Sequence, residues 1–254
     1  MPSTQPGTTV EGGNRPLLTA DWRYLAILNY PVVPAFLERF VPRGCELDFF
    51  DGQTFVSVVG FLFANTHLRG IPIPFHRTFE EVNLRFYVRR MVDGETRRAV
   101  TFLREFVPRR MIALVARMVY NEPYRAVRMS HRYAVSGEAN DAGRVPVRVE
   151  YEAGPVQLVV HCDGMARLPL KGSFEQFIAE HYWGYTTQRD GGTVEYIVEH
   201  PPWRVAPAAS AHLGGDLSKA YGAGIATALA STPHSAFVAE GSAVRVFKPV
   251  RIVP

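Results

Sequence analysis

The sequence predicts an α+β fold, a mostly antiparallel β-sheet or β-barrel with a few helices packed outside it. Three observations carry this reading. Short apolar or alternating runs follow one another at close spacing, turn signals built from Gly, Pro, Asp and Asn separate them, and strands do not alternate with helices in the rhythm of a parallel sheet. A closed barrel would remove exposed strand edges and could enclose a ligand cavity, although periodicity alone does not separate it from a sandwich.

Residues 1–15, rich in Gly, Thr, Pro and Ser, read as a disordered leader, and 16–254 as a single domain. Trp22 to Tyr30 is apolar enough for a strand or buried turn. Pro34 then opens a short helix through Phe40, closed by Pro42 and Gly44. Glu46 to Phe50 reads as a short strand, and Asp51-Gly52 as a hairpin turn. Phe55 to Phe63 has no polar face and is expected to be covered on both sides, with a bend or bulge at Gly60. Ala64 to Thr78, rich in Pro, Gly and His, reads as a loop long enough to be a lid or subunit contact.

Alternation is clearest from Val82 to Arg89, where Val82, Leu84, Phe86 and Val88 share one face and Glu81, Asn83, Arg85, Tyr87 and Arg89 the other. Asp93-Gly94 turns the chain. Ala99 to Val107 returns antiparallel, with Thr101, Leu103 and Glu105 opposite Phe102, Arg104 and Phe106. Pro108 opens an apolar helix to about Tyr120, and Arg125 to Val135 resumes the sheet, Arg128, Ser130 and Arg132 facing away from Val127, Met129, His131 and Tyr133. Val145 to Tyr151 and Val156 to His161 are further strands. Ser173 and Gln176 form a capping box for an amphipathic helix that ends at Gly184. Tyr185 to Gln188 and Val194 to Val198 form a hairpin about Asp190-Gly191-Gly192. Residues 216–230 are ambiguous, and Ala236 to Ala239 with Ala243 to Phe247 read as a last hairpin.

Composition narrows the function. A net charge of +4 with acids and bases intermixed provides no basic block, which argues against nucleic acid. No apolar run approaches the roughly 20 residues of a membrane helix, so no membrane partner is expected. Cys45 and Cys162 have no second pair with which to build a metal cage and fit a reducing cytoplasm. His67 and His76 match no ligand spacing, and neither metal nor cofactor is expected. Gly222-Ala223-Gly224 lacks the strand and third glycine of a dinucleotide loop, and His161-Cys162-Asp163 has no partner that would make the thiol a nucleophile.

Several motifs occur in a telling order: Pro42-Arg43-Gly44-Cys45-Glu46-Leu47, Asp51-Gly52, Glu81-Val82-Asn83-Leu84-Arg85 with Tyr87-Val88-Arg89, Asn121-Glu122-Pro123-Tyr124, and His200-Pro201-Pro202-Trp203. Over residues 17 to 250 they resemble the YqjF-like family, a domain of unknown function in the acetoacetate decarboxylase-like superfamily. The resemblance implies a cone-shaped antiparallel barrel around a ligand cavity. It does not carry over the decarboxylase chemistry, in which a lysine of depressed pKa forms a Schiff base. Tyr124 and Arg125 stand where the resemblance places the lysine pair, and a guanidinium cannot form that imine. The only lysines, Lys171, Lys219 and Lys248, have no basic neighbour to lower their pKa.

If the strands close around a pocket, Glu81, Arg85, Arg104, Glu105, Arg117, Glu122, Tyr124 and Arg128 are the candidate ligand-binding residues. Arg offers bidentate recognition of a carboxylate, and Glu or Tyr can shuttle a proton. Arg104 and Glu105 are adjacent on a strand, so at most one of them faces that pocket. The same residues could instead be structural ion pairs at a barrel end. Two functions follow: a small-molecule-binding protein that keeps the cavity without the Schiff-base lysine, or a lyase- or isomerase-like enzyme using acid–base chemistry on a small carboxylate or carbonyl compound. A small organic anion is the expected partner, and homo-oligomerisation is left open.

Overall fold

A computed structural model gives the fold and describes residues 15–72, 77–108, 121–134 and 144–252. The expected leader falls outside these residues except for Arg15, and so does the helix expected after Pro108. In chain order the strands are β1 (Leu18–Val32), β2 (Glu46–Leu47), β3 (Thr54–Leu68), β4 (Ile71–Pro72), β5 (Phe79–Val92), β6 (Glu95–Val107), β7 (Tyr124–Ala126), β8 (Met129–Ala134), β9 (Arg148–Ala153), β10 (Val156–Cys162), β11 (Trp183–Thr187), β12 (Thr193–Glu199), β13 (Val205–Gly215), β14 (Ser235–Val246) and β15 (Val250–Ile252). The helices are α1 (Pro34–Leu37), which runs into a 3₁₀ turn, α2 (Phe174–Ala179), α3 (Leu217–Tyr221) and α4 (Ala223–Leu229).

Seven strands return on themselves. The order β12-β11-β6-β5-β3-β1-β14 is closed where Val198 and Glu199 of β12 pair with Val246 and Arg245 of β14. Pairing around this ring is antiparallel except between β11 and β6. A second layer, β13-β10-β9-β8, leaves the ring through β14 and folds over its outer face. Residues of β3 therefore divide between two apolar clusters. Val56 and Val58 pack outward with Val82, Leu84 and Phe86 of β5 against Tyr151, Leu158 and Val160 of the second layer. Phe55, Val59, Phe61 and Phe63 turn into the ring with Tyr87 and with Phe174, Phe177 and Ile178 of α2. This double burial is why the strand carries no polar face.

Several expectations are corrected. Ala64 to Leu68 continues β3, and only Arg69-Gly70 turns the chain into β4; residues 73–76, including His76, lie outside the described set. Gly60 is not itself the bulge. The register slips in the opposite strand, between Arg23 and Ala26 of β1, and Gly60 is needed because a Cβ there would lie 2.6 Å from the Tyr151 ring. Arg125 to Val135 is two strands: β7 pairs parallel with β6, and β8 belongs to the second layer. Gly184 caps no helix. It lies in β11, where a Cβ would collide with the Tyr196 ring. The last hairpin is one strand, β14, in which Gly241 takes a positive φ of 77° so that the backbone passes Trp22 closely. β13 went unforeseen because Pro207 and its small residues read as loop.

Candidate active site

A cavity of about 650 Å³ occupies the interior of the ring. Its walls are largely apolar, with Val59, Phe61 and Phe63 of β3, Phe79 of β5, Trp22 and Trp203. One end is polar, and the local structure of β5 and β6 explains why. Alternation along β5 turns Glu81, Asn83 and Arg85 inward while Val82, Leu84 and Phe86 pack outward. On β6 strict alternation fails. Leu84 pairs with Arg104 but Arg85 pairs with Phe102, so Leu103 is an extra residue, and this bulge sets Phe102 and Glu105 on the same, inner side. Glu105 thereby comes opposite Asn83, and Tyr124 of β7 comes beside Glu105.

Glu81, Glu105 and Glu122 are each at least 94% buried and all line the cavity. Asn83 Nδ2 donates to Glu81 Oε1 at 2.9 Å and the Tyr124 hydroxyl donates to Oε2 at 3.2 Å. Glu122 Oε1 accepts from the Tyr196 hydroxyl and, at 3.4 Å, from the Thr186 hydroxyl. Tyr124 has one proton to give: its hydroxyl donates to Glu81 and also stands within hydrogen-bonding reach of Glu105, whose buried oxygens have no other partner among the described residues. None of the three carboxyls forms an ion pair there.

Burial drives all three pKa values up. Glu81 is raised to about 7, its hydrogen bonds and the Arg85 charge opposing the desolvation. Glu122 is raised to about 8 by burial, with Tyr196 opposing and the Glu81 charge adding. Glu105 is raised well above the usual carboxylate range by burial and then by Glu122 and Glu81, with a hydrogen bond from Tyr124 opposing. The Tyr124 phenol is held far above its ordinary value by burial and by the same carboxylates. The arrangement is a store of carboxylic protons in a largely apolar chamber.

Of the other candidates, Arg85 lines the cavity, its Nη2 donating to the Ile178 carbonyl at 3.2 Å. Arg104 and Arg128 do not line it. The bulge turns Arg104 to the outer side with Leu84, and Arg128 is exposed where the chain crosses to the second layer. Arg117 lies outside the described residues. Sequence reasoning missed Tyr196, Thr186, His181 and His200, all of which lie near or on the cavity. Two of them left a signal: Gly184 makes room for the Tyr196 ring, and His200 stands in the His200-Pro201-Pro202-Trp203 motif. Among the described residues no group of three or more His, Cys, Asp or Glu is placed to hold a metal ion, and no helix is long and apolar enough to cross a membrane.

The sequence profile of the DUF2071 family, uncharacterized conserved proteins, matches residues 19–243. The uncharacterized protein YqjF of Bacillus subtilis (strain 168) is 27% identical over 186 residues, which are 73% of this chain and 74% of YqjF. Two solved structures share the fold. The enduracididine biosynthesis enzyme MppR complexed with pyruvate superposes with a TM-score of 0.65 at 14% identity, covering 96% of this chain and 94% of MppR. The acetoacetate decarboxylase of Legionella pneumophila superposes with a TM-score of 0.61 at 10% identity, covering 98% of this chain and 93% of the decarboxylase. The architecture is thus acetoacetate decarboxylase-like.

Proposed function

From the premise that this chain belongs to the DUF2071 family, we propose that its cavity takes a small organic compound bearing a carbonyl or carboxylate and moves protons on it by acid–base chemistry, without a covalent intermediate on the protein. The observation that carries this reading is Glu105, a buried carboxyl that lines the cavity beside Glu81, Glu122 and the Tyr124 hydroxyl and is held protonated by those surroundings. Protonated, it can donate to a carbonyl oxygen and stabilise the enol that forms when a neighbouring carbon loses its proton. Glu81, whose ionised form is favoured by its hydrogen bonds from Asn83 and Tyr124 and by the Arg85 charge, accepts that proton. Arg85 supplies the positive charge that draws a small anion into an otherwise apolar chamber.

A Schiff base on lysine has no part in this reading. None of the three lysines lines the cavity, all three are exposed, and Tyr124 occupies the inner face of β7. The same fact favours a second reading, a binding protein that keeps the cavity and has no turnover. Both thiols are free, which suits the reducing cytoplasm included in this proposal. Incubation in deuterated water with acetoacetate, pyruvate and simple ketones, followed by proton NMR, separates the two readings. The enzyme exchanges the protons beside the carbonyl of at least one compound, and Glu105→Gln lowers that rate by roughly 100-fold, the low end for general acid catalysis. Binding without exchange above the buffer rate leaves the binding protein.

A further inference from the structure

The chamber is far larger than its polar end needs. A dry apolar cavity of about 150 Å³ is room enough for benzene, so a volume of about 650 Å³ holds about four such rings. Acetoacetate or pyruvate seated at the glutamates would leave most of that space empty and most of its wall without contacts. The wall has an order of its own. Trp22 is half-buried, and its ring centre stands 5.0 Å from that of Phe61, 5.6 Å from Phe63 and 6.1 Å from Trp203. Phe63 in turn stacks on Phe79 at 4.6 Å, the planes 12° apart. All five side chains line the cavity. They adjoin the acid cluster, because Phe61 is the cross-strand partner of Glu81 and Phe79 lies two residues from Glu81 on the same inner face of β5. From Phe61 the lining continues along β3 to Leu68, a strand length on the order of 20 Å, and to its partner Leu18 of β1. Leu18 and Leu68 are half-buried and Arg69 is exposed, so the lining reaches the surface there.

A wall of contiguous rings is complementary to an apolar group. A second charged or strongly polar group laid against it would lose its hydration and gain no partner, whereas alkyl chains and aryl groups both gain contacts there. Half of the chamber, about two ring volumes, accepts a substituent of roughly ten carbon atoms. We propose that the substrate class is carbonyl compounds bearing a large apolar substituent, alkyl or aryl, with the carbonyl at Glu105 and Glu81 and the substituent laid along Trp22, Phe63 and Phe79. Trp22 is the specificity-determining residue, being the most accessible ring of a wall whose other four members are buried. This rests on the reading of the cavity as the site of acid–base chemistry on a carbonyl.

The test reads binding, separately from turnover. Dissociation constants are measured for 2-pentanone, 2-heptanone, 2-nonanone and 2-undecanone, for 4-phenyl-2-butanone and 6-phenyl-2-hexanone, and for acetoacetate and pyruvate. NMR titration gives the values, and tryptophan fluorescence checks them, since Trp22 and Trp203 are two of the chain's three indoles. Affinity should rise roughly 3-fold per added methylene, the worth of burying it, and 2-undecanone should bind about 50-fold or more tighter than 2-pentanone. The phenyl ketones distinguish the two kinds of substituent: tighter binding than an alkyl ketone of equal size marks an aryl substrate, weaker binding an alkyl one, and either supports the class. Nuclear Overhauser contacts in the parent protein should join the far end of the bound chain to the Trp22 and Phe63 rings. Trp22→Ala should weaken 2-undecanone by about 10-fold and 2-pentanone by less than about 3-fold, its NMR spectrum reporting whether it is folded. Affinity that does not rise with chain length, tighter binding of acetoacetate or pyruvate than of 2-undecanone, chain contacts only to residues outside the chamber, or no binding across the series each overturns the proposal. Proton exchange on the small compounds without a size preference defeats this inference alone, whereas a size preference without exchange in any member of the series defeats the acid–base reading alone.

Discussion

Replacing Glu122 by Gln should change how stability depends on pH. Glu122 is 94% buried and its pKa is raised to about 8, so between its unfolded value near 4.5 and about 8 the folded chain keeps a proton that the unfolded chain has released. Stability falls with rising pH wherever the folded state holds more protons, so this contribution is complete below about 4.5 and is lost as pH rises through 8. At about 1.4 kcal/mol per pH unit, the ceiling over that window is roughly 5 kcal/mol, and water entering the chamber brings the expected loss nearer 2–4 kcal/mol. Gln has the same shape and can still accept from Tyr196, but it does not titrate. Urea unfolding of both proteins at pH 5, 6, 7 and 8 should show the parent losing ground to Glu122→Gln, the gap widening by about 2–4 kcal/mol from end to end. Parallel curves would mean that Glu122 ionises as readily folded as unfolded, and the account of the proton store would be wrong.

Three further outcomes are expected. Phe86→Ala, at a side chain fully buried between the ring and the second layer, should cost about 3–5 kcal/mol by thermal or chemical melting; a loss under 1 kcal/mol would mean that this face is not core. Gly184→Ala should cost about 1–3 kcal/mol by forcing the Tyr196 ring aside, and much less in a Tyr196→Ala background, where additive costs would show that the two do not meet. Incubation with acetoacetate and borohydride should leave no mass adduct on any lysine, since a reduced adduct on Lys171, Lys219 or Lys248 would restore Schiff-base chemistry.

Much of the fold could be read from periodicity because the two clearest strands, β5 and β6, have different environments on their two faces. Several of the readings that failed share a cause. Gly60, Gly184 and Gly241 were read as bends, caps or turns, yet each lies inside a strand where something passes close: the Tyr151 ring, the Tyr196 ring and the Trp22 backbone. A glycine that makes room for a distant neighbour looks, in sequence, like a glycine that turns the chain. β13 was hidden for a related reason: Pro207 and its small residues carry no apolar alternation, and pairing with β10 and β14 is what makes them a strand.

The site was partly legible, and the bulge in β6 explains the limit. Strict alternation put Glu105 with Thr101 and Leu103, away from Phe102, so sequence spacing alone gave no ground for placing Phe102 and Glu105 on one wall. The inserted residue at Leu103 inverts the phase from there to the end of the strand, carrying Glu105 inward and Arg104 outward. A one-residue slip therefore decides whether the chamber receives a carboxyl or a guanidinium at that point. With Arg104 inside, the cluster would hold cations enough to pair Glu81 and Glu122, and their pKa values would fall toward the ordinary range. With Glu105 inside, three carboxyls face Arg85 as the one cation among the described lining residues at that end, and protonation is what makes their burial tolerable. The bulge is thus the structural origin of the acid store on which the proposed chemistry depends.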